Sequence, residues 1–363
     1  MKLLVFLFFI TINYCSYAET FESYGFDKIV GDTDVLIGIQ NEKIIFEKYA
    51  NNFDYNRPHL LHSLNKLFLN AFIGNLEKNN LLSSSKHIEH SINDTFTSNL
   101  TIDALMRMSS GLRTLSDPGT METIEPGLIR PINEIPENLF DYYLAKSLPM
   151  YPPNTSYNYC FYDNNLLIQH LEDLFGKIEL NNMLITFLDK NNFSDTSIII
   201  KPSNEYLFDD YNSFLNKLLL KNNFKDMFRL LISRQFGFSS PKDIIKLAKL
   251  YLKNRNNLFT TKWKSDTFLS DPKSFTKSRT LDSFFAPFAY GRFWFLNTPH
   301  TDGTKAYPML PDDVAFIYGL KGQILAIFPS QNAIYLRLSS DEPKMRFNRE
   351  KSLNQFYNEF LKK

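Results

Sequence analysis

The chain has 363 residues, and 40 Lys+Arg against 39 Asp+Glu leave a formal net charge of +1. That balance removes the electrostatic case for a nucleic-acid binder, which carries a marked basic excess or patch. Charged residues at 22% and hydrophobic ones at 44% exclude a disordered chain, and only two cysteines exclude a disulfide scaffold.

Lys2, an apolar run over 3–12 and a polar stretch ending Ser16-Tyr17-Ala18 have the layout of a secretory signal peptide over 1–18. Small residues stand at minus three and minus one of a cut after Ala18. The run is too short to span a bilayer, which needs about 20 apolar residues. A mature chain over 19–363 is therefore expected, secreted or periplasmic, with Cys160 as its one cysteine. No later stretch offers a second membrane segment. Val35-Leu36-Ile37-Gly38-Ile39 and Ile44-Ile45-Phe46-Glu47-Lys48-Tyr49 flank the polar link Gln40-Asn41-Glu42-Lys43, which predicts a β-hairpin. From about 63 to 255 the pattern is mostly helical. One helix start is marked by Ser240-Pro241-Lys242-Asp243, which gives an N-cap serine, proline at the first position and an acid at the third. Apolar residues at 244, 245, 247, 248, 251 and 252 then follow helical spacing. Runs over 314–318, 324–328 and 333–338 predict a β-meander, with a helix over 352–361. Strands at both ends with helices between them give an α+β fold. One antiparallel sheet is assembled from about 30–50 and 288–340, around a mostly helical insertion over about 76–280.

Chemistry is suggested most sharply by Ser63-Leu64-Asn65-Lys66. A spacing of three on a helix brings the hydroxyl and the amine to one face. A serine needs a base to become a nucleophile, and a buried lysine can serve. If Ser63 opens the helix, exposed N–H groups favour a developing oxyanion. The same spacing recurs at Ser83/Lys86, Ser239/Lys242, Ser270/Lys273 and Ser274/Lys277, but only Ser63 follows a hairpin and opens a long amphipathic run. The competing reading is a solvated first helical turn. Tyr157-Asn158-Tyr159-Cys160-Phe161-Tyr162-Asp163 is a second group, where a tyrosine can relay protons; the alternative is an aromatic cluster leading into a core helix at Leu166. His87 and His90 have a helical spacing that suits a metal, but no third ligand is evident and an exposed helix face is expected.

These stretches together resemble the serine β-lactamase and penicillin-binding-protein-like hydrolases, nearest the branch of esterases and 6-aminohexanoate-dimer hydrolases. His62-Ser63-Leu64-Asn65-Lys66 resembles the nucleophile motif. Leu100-Thr101-Ile102-Asp103-Ala104-Leu105-Met106-Arg107-Met108-Ser109-Ser110-Gly111-Leu112 matches a characteristic helix-and-turn segment. The stretch over 153–167 resembles the one holding the catalytic tyrosine, which falls on Tyr159. The stretch over 237–252 is similar to a shared helix, and Tyr290-Gly291-Arg292-Phe293-Trp294 to a shared strand start. The resemblance implies a β-lactamase-like fold with Ser63 as acylated nucleophile, Lys66 as base and Tyr159 as proton relay. It places the oxyanion between the backbone N–H groups of Ser63 and Gln323, on the strand of the C-terminal meander that follows Tyr318-Gly319-Leu320-Lys321-Gly322-Gln323. Asp163, Lys321 and Gly322 become candidate substrate contacts. No metal or organic cofactor is implied.

The chain also departs from the family pattern. Cys160 and Phe161 stand where relatives carry serine and often asparagine or glycine. Leu320, Lys321 and Gly322 stand where a Lys or His followed by two small residues is usual. A cation for a substrate carboxylate is thereby missing or displaced by one residue, which favours a small or short-peptide ester or amide lacking that carboxylate. A penicillin-interacting DD-peptidase or β-lactamase and a catalytically inactive binding relative are the alternatives.

Overall fold

The computed structural model describes residues 33–50, 52–88, 99–111, 152–155, 157, 159, 161–198, 237–253, 256–270, 289–300, 302–319, 322–340 and 349–362. The signal stretch with its cut after Ala18, Glu89, His90, Leu112, Cys160, Leu320 and Lys321 lie outside the described residues.

Two strands from the first part of the chain, β1 (Val35–Gln40) and β2 (Lys43–Tyr49), join five from the last part. These are β6 (Ala289–Tyr290), β7 (Phe295–Leu296), β8 (Ala315–Gly319), β9 (Gln323–Phe328) and β10 (Ala333–Leu338). They form a seven-stranded antiparallel sheet in the order β2-β1-β10-β9-β8-β7-β6. The chain ends meet at β1 and β10, with Val35 opposite Leu338 and Gln40 opposite Ala333. Gln323 and Arg337 apart, β9 and β10 are aliphatic and aromatic runs, and every residue in them is buried. β2 carries Glu47 and Lys48 and is partly exposed, as an edge strand should be. Asn41 and Glu42 take φ of 50° and 66°, the left-handed pair that suits a two-residue hairpin.

A second, three-stranded sheet in the order β3-β5-β4 joins β3 (His59–Leu60), β4 (Ser197–Ile198) and β5 (Gly237–Ser239). Strands this short leave no periodicity to read, and the sequence did not foretell them. Six helices concern the site or its frame: α1 (Lys66–Lys78), α2 (Ile102–Met106), α3 (Phe161–Phe175), α4 (Lys177–Lys190), α5 (Pro241–Leu252) and α6 (Thr261–Thr267). α5 starts where expected, with the Ser240 hydroxyl accepting from the Asp243 N–H at 3.2 Å. It packs on β9, β10 and α1. The C-terminal helix α7 (Arg349–Phe356) starts before residue 352 and gives way to a π-turn over Tyr357–Leu361. Its Phe356 ring lies 5.7 Å from Phe328 and 5.2 Å from Tyr335, covering β9 and β10.

His87 is not on a helix. It is exposed and sits in an isolated β-bridge with Thr101. Among the described residues no three His, Cys, Asp or Glu side chains gather into a metal-binding group. Nor is any described helix long and apolar enough to cross a membrane.

Candidate active site

β3 leads through Leu61 into a short 3-10 helix over His62–Asn65, which runs directly into α1 at Lys66. The Leu61 N–H donates to the Gly237 carbonyl at 2.8 Å, tying this segment to β5, and His62 turns the chain with φ of 48°. A 3-10 helix has three residues per turn, so Ser63 and Lys66 fall on the same side of the backbone. The regular α-helix therefore begins one turn after Ser63, not at it. Ser63 is partly exposed, whereas Lys66 is only 1% exposed.

One turn further along α1, Asn70 is fully buried and fully bonded. Its Oδ1 accepts from Tyr251 Oη at 2.7 Å and from Trp263 Nε1 at 3.0 Å. Its Nδ2 donates to the Arg292 carbonyl at 2.9 Å and to Thr267 Oγ1 at 3.4 Å. These bonds reach α5, α6 and the start of the β6–β7 connection. They fix the roll of α1 and with it the direction in which Lys66 leaves the helix.

Tyr159 arrives from a distant loop. Its Oη donates to Ser63 Oγ at 3.1 Å. Its ring stacks on Phe295 of β7 at 5.7 Å and 21°, and meets Tyr290 of β6 edge-on at 6.1 Å and 83°. Lys66 Nζ stands 5.3 Å from the same ring centroid, over its face. The Ser63 hydroxyl, the Tyr159 phenol and the Lys66 amine nitrogen thus form one contiguous group. Burial pushes the neighbouring Tyr157 and Tyr290 phenols well above their ordinary range, so both stay neutral beside it.

The third wall comes from the C-terminal meander. β8 stops at Gly319, which pairs with Gln323 at the start of antiparallel β9. The chain reverses between them, as the meander pattern predicts, and Gln323 opens the strand after the reversal. Gly322 takes φ of 79°, a conformation natural to glycine. Gly319 lies against the nucleophile segment, where a Cβ would stand 2.8 Å from the Leu61 carbonyl oxygen. Gln323 is buried, and its Nε2 donates to the Leu60 carbonyl at 3.0 Å and the Ser339 carbonyl at 2.9 Å. Arg337 donates to the Gly322 carbonyl at 2.6 Å. His59 faces Asp34 at 2.8 Å and donates to the Leu60 carbonyl at 2.9 Å, and Ser340 donates to Asp34 at 2.6 Å. A buried polar network thereby joins the chain just before Ser63 to β1, β9 and β10.

Asp163 does not face a cleft. It is 1% exposed, and Ser110 bonds both its oxygens, through Oγ at 2.6 Å and through the N–H at 3.3 Å. Burial pushes its carboxyl up to about 7 against the lowering pull of those bonds. Ser110 belongs to the turn after α2, which is anchored in turn by Asp103. Arg107 reaches Asp103 at 2.8 Å and Arg292 reaches it at 2.5 Å. Burial alone would raise the Asp103 carboxyl, but the two guanidinium groups and their hydrogen bonds prevail and hold it below the usual range. The segment most characteristic of the resembled family therefore touches the loop carrying Tyr159. Sequence reasoning missed Asn70, Ser110 and the side-chain role of Gln323. A lone asparagine inside the apolar run of α1 was the one available signal.

Comparison with known proteins follows this geometry. The Beta-lactamase family model matches residues 27–357. No curated protein matches the sequence. Among solved structures, a Beta-lactamase/D-alanine carboxypeptidase from Yersinia pestis superposes with a TM-score of 0.63 at 16% identity, over 94% of this chain and 96% of that one. A D-stereospecific amidohydrolase from Streptomyces sp. gives 0.62 at 12% identity, over 95% and 99%. A proposed 6-aminohexanoate-dimer hydrolase from Bacillus anthracis gives 0.60 at 16% identity, over 90% and 78%. At these identities the likeness to solved structures speaks to fold alone. With the family match running over most of its length, the chain belongs to the Beta-lactamase family.

Proposed function

We propose that the protein is a serine hydrolase that cleaves an ester or amide bond through an acyl-enzyme on Ser63. The observation that carries this reading is the Tyr159 Oη–Ser63 Oγ contact of 3.1 Å with Lys66 over the same ring. In the first step Ser63 Oγ bonds to the substrate carbonyl carbon and its proton passes to Lys66 Nζ. The bond from that carbon to the leaving oxygen or nitrogen then breaks. Tyr159 gives its proton to the leaving group and is reprotonated from Lys66. Water adds to the acyl carbon, loses its proton to the same pair, and frees Ser63. The Ser63 N–H supplies one oxyanion donor. The second comes from the β8–β9 reversal, for which the sequence names Gln323, with Lys321 and Gly322 as substrate contacts there. The displaced cation of that motif favours substrates without a carboxylate at this point. The N-terminal sequence adds export to the proposal, with cleavage after Ala18.

Intact-protein mass after incubation with a fluorophosphonate, and separately with a penicillin, tests the reading. Wild type should gain one fluorophosphonate adduct that is absent from Ser63→Ala. Acylation by penicillin instead would move the assignment to a penicillin-interacting enzyme. A folded wild type that takes neither label would make the protein an inactive binding relative.

A further inference from the structure

Tyr159 must reach Ser63 from a loop with no regular structure at its own position. Two adjacent residues of one turn hold the chain on either side of it. Upstream, the Asn154 N–H donates to the Ser109 carbonyl at 2.8 Å, and Ser109 Oγ donates to Asn154 Oδ1 at 3.4 Å. Downstream, in the first turn of α3, Asp163 takes both donors of Ser110. The turn itself is tied down: Arg107 donates to the Asp266 carbonyl at 2.8 Å, and the Phe293 N–H donates to the Met106 carbonyl at 2.9 Å. The base of the grip is therefore better fixed than the loop it grips.

We propose that Asp163 is a positioning residue for Tyr159, holding the phenol on Ser63 through the Ser109–Ser110 turn rather than contacting substrate. This rests on the hydrolase reading above. Misplacing a reacting group by about 1 Å can cost about a hundredfold in rate, so a loop held at both ends is where a single hydrogen bond matters. The groups facing Asp163 are Ser110 from the turn and Tyr290 from β6. Among the described residues no cation forms an ion pair with it. Its ionised form accepts both Ser110 bonds, and the protonated form gives up one acceptor. The grip should accordingly tighten as pH rises through the range near 7 where the buried carboxyl titrates.

The experiment is a double-mutant cycle on the full chain. The readouts are the fluorophosphonate labelling rate of Ser63 and kcat and KM for p-nitrophenyl acetate. Asp163→Asn and Ser110→Ala should each slow labelling about 10- to 100-fold, lowering kcat with KM little changed. In a Tyr159→Phe background the same substitutions should cost less than about threefold, because the group they position is already gone. The rise in labelling near neutral pH should vanish in Asp163→Asn. Equal losses in both backgrounds, or an Asp163→Asn rate equal to wild type, would overturn the positioning role while leaving Ser63 chemistry standing. If Asp163→Asn does not fold, Ser110→Ala, which keeps the backbone donor, completes the cycle alone. A wild type that takes no label would sink the hydrolase reading itself and this inference with it.

Discussion

Ser63 and Lys66 lie three residues apart on one turn of backbone, whereas Tyr159 meets them across 96 residues of chain. The first pair is held from within: a 3-10 turn stacks the two side chains, and the fully bonded Asn70 locks α1 one turn below. The tyrosine is held from outside, by rings from β6 and β7 and by a turn that grips its loop on both sides. Local spacing fixes one half of the site and long-range packing fixes the other. Substitutions in the two halves should therefore fail in different ways. Lys66→Ala removes the proposed base while leaving the turn in place, so Ser63 labelling should fall about a thousandfold with the melting temperature nearly unchanged. Tyr159→Phe keeps the ring between Phe295 and Tyr290 and loses only the hydroxyl, and should cost about a hundredfold. A larger loss from the tyrosine than from the lysine would reverse the order of importance drawn here.

A sharper contrast comes from Asn70, which takes no step in the proposed chemistry. Asn70→Leu strands the Tyr251 hydroxyl, the Trp263 N–H and the Arg292 carbonyl in the core. Each stranded group costs about 1 kcal/mol or more, so the variant should lose about 3 kcal/mol in urea unfolding. Because the same side chain sets the roll of α1, labelling of the surviving folded fraction should also fall. Unchanged stability would mean that α1 is held by its apolar faces alone.

The parts of this molecule that could be read in the sequence are those whose signal is local. The meander, the hairpin at Asn41-Glu42 and the Ser240 cap each depend on neighbours within a few residues, and each is found where the pattern puts it. Ser63 and Lys66 were singled out by spacing and context together, for Ser239 and Lys242 share the spacing and serve separate partners: Ser239 meets Thr196 at 2.8 Å, and Lys242 pairs with Asp195. What separates them is context at long range. The β8–β9 reversal belongs with the local signals, since Gly319 and Gly322 divide the two apolar runs and Gly319 pairs with Gln323 across the turn. Asp163 stood as a candidate substrate contact, with a bond to the backbone or Asn164 in a turn as the other reading. Its partner Ser110 lies 53 residues away, beyond any local pattern.

Asp163, which is buried, and Asp103, which is partly exposed and paired with two arginines, also divide in how they should answer to pH. Asp103 is held below its ordinary value, so its contribution to stability is present above about pH 4 and is lost as pH falls through the folded-state value. Asp163 is raised to about 7, so between about pH 4 and pH 7 the folded state keeps a proton that the unfolded chain has lost. Folding then takes up a proton in that window, and stability must fall as pH rises through it, levelling off above 7. The slope from this one group is at most about 1.4 kcal/mol per pH unit. Asp163→Asn cannot ionise and should remove that slope, making the variant relatively more stable at pH 8 than at pH 5 when each is compared with wild type. Unfolding curves at the two pH values measure this directly. A wild-type slope that survives the substitution would place the titrating group elsewhere and leave Asp163 ionised throughout, with its grip on Ser110 independent of pH.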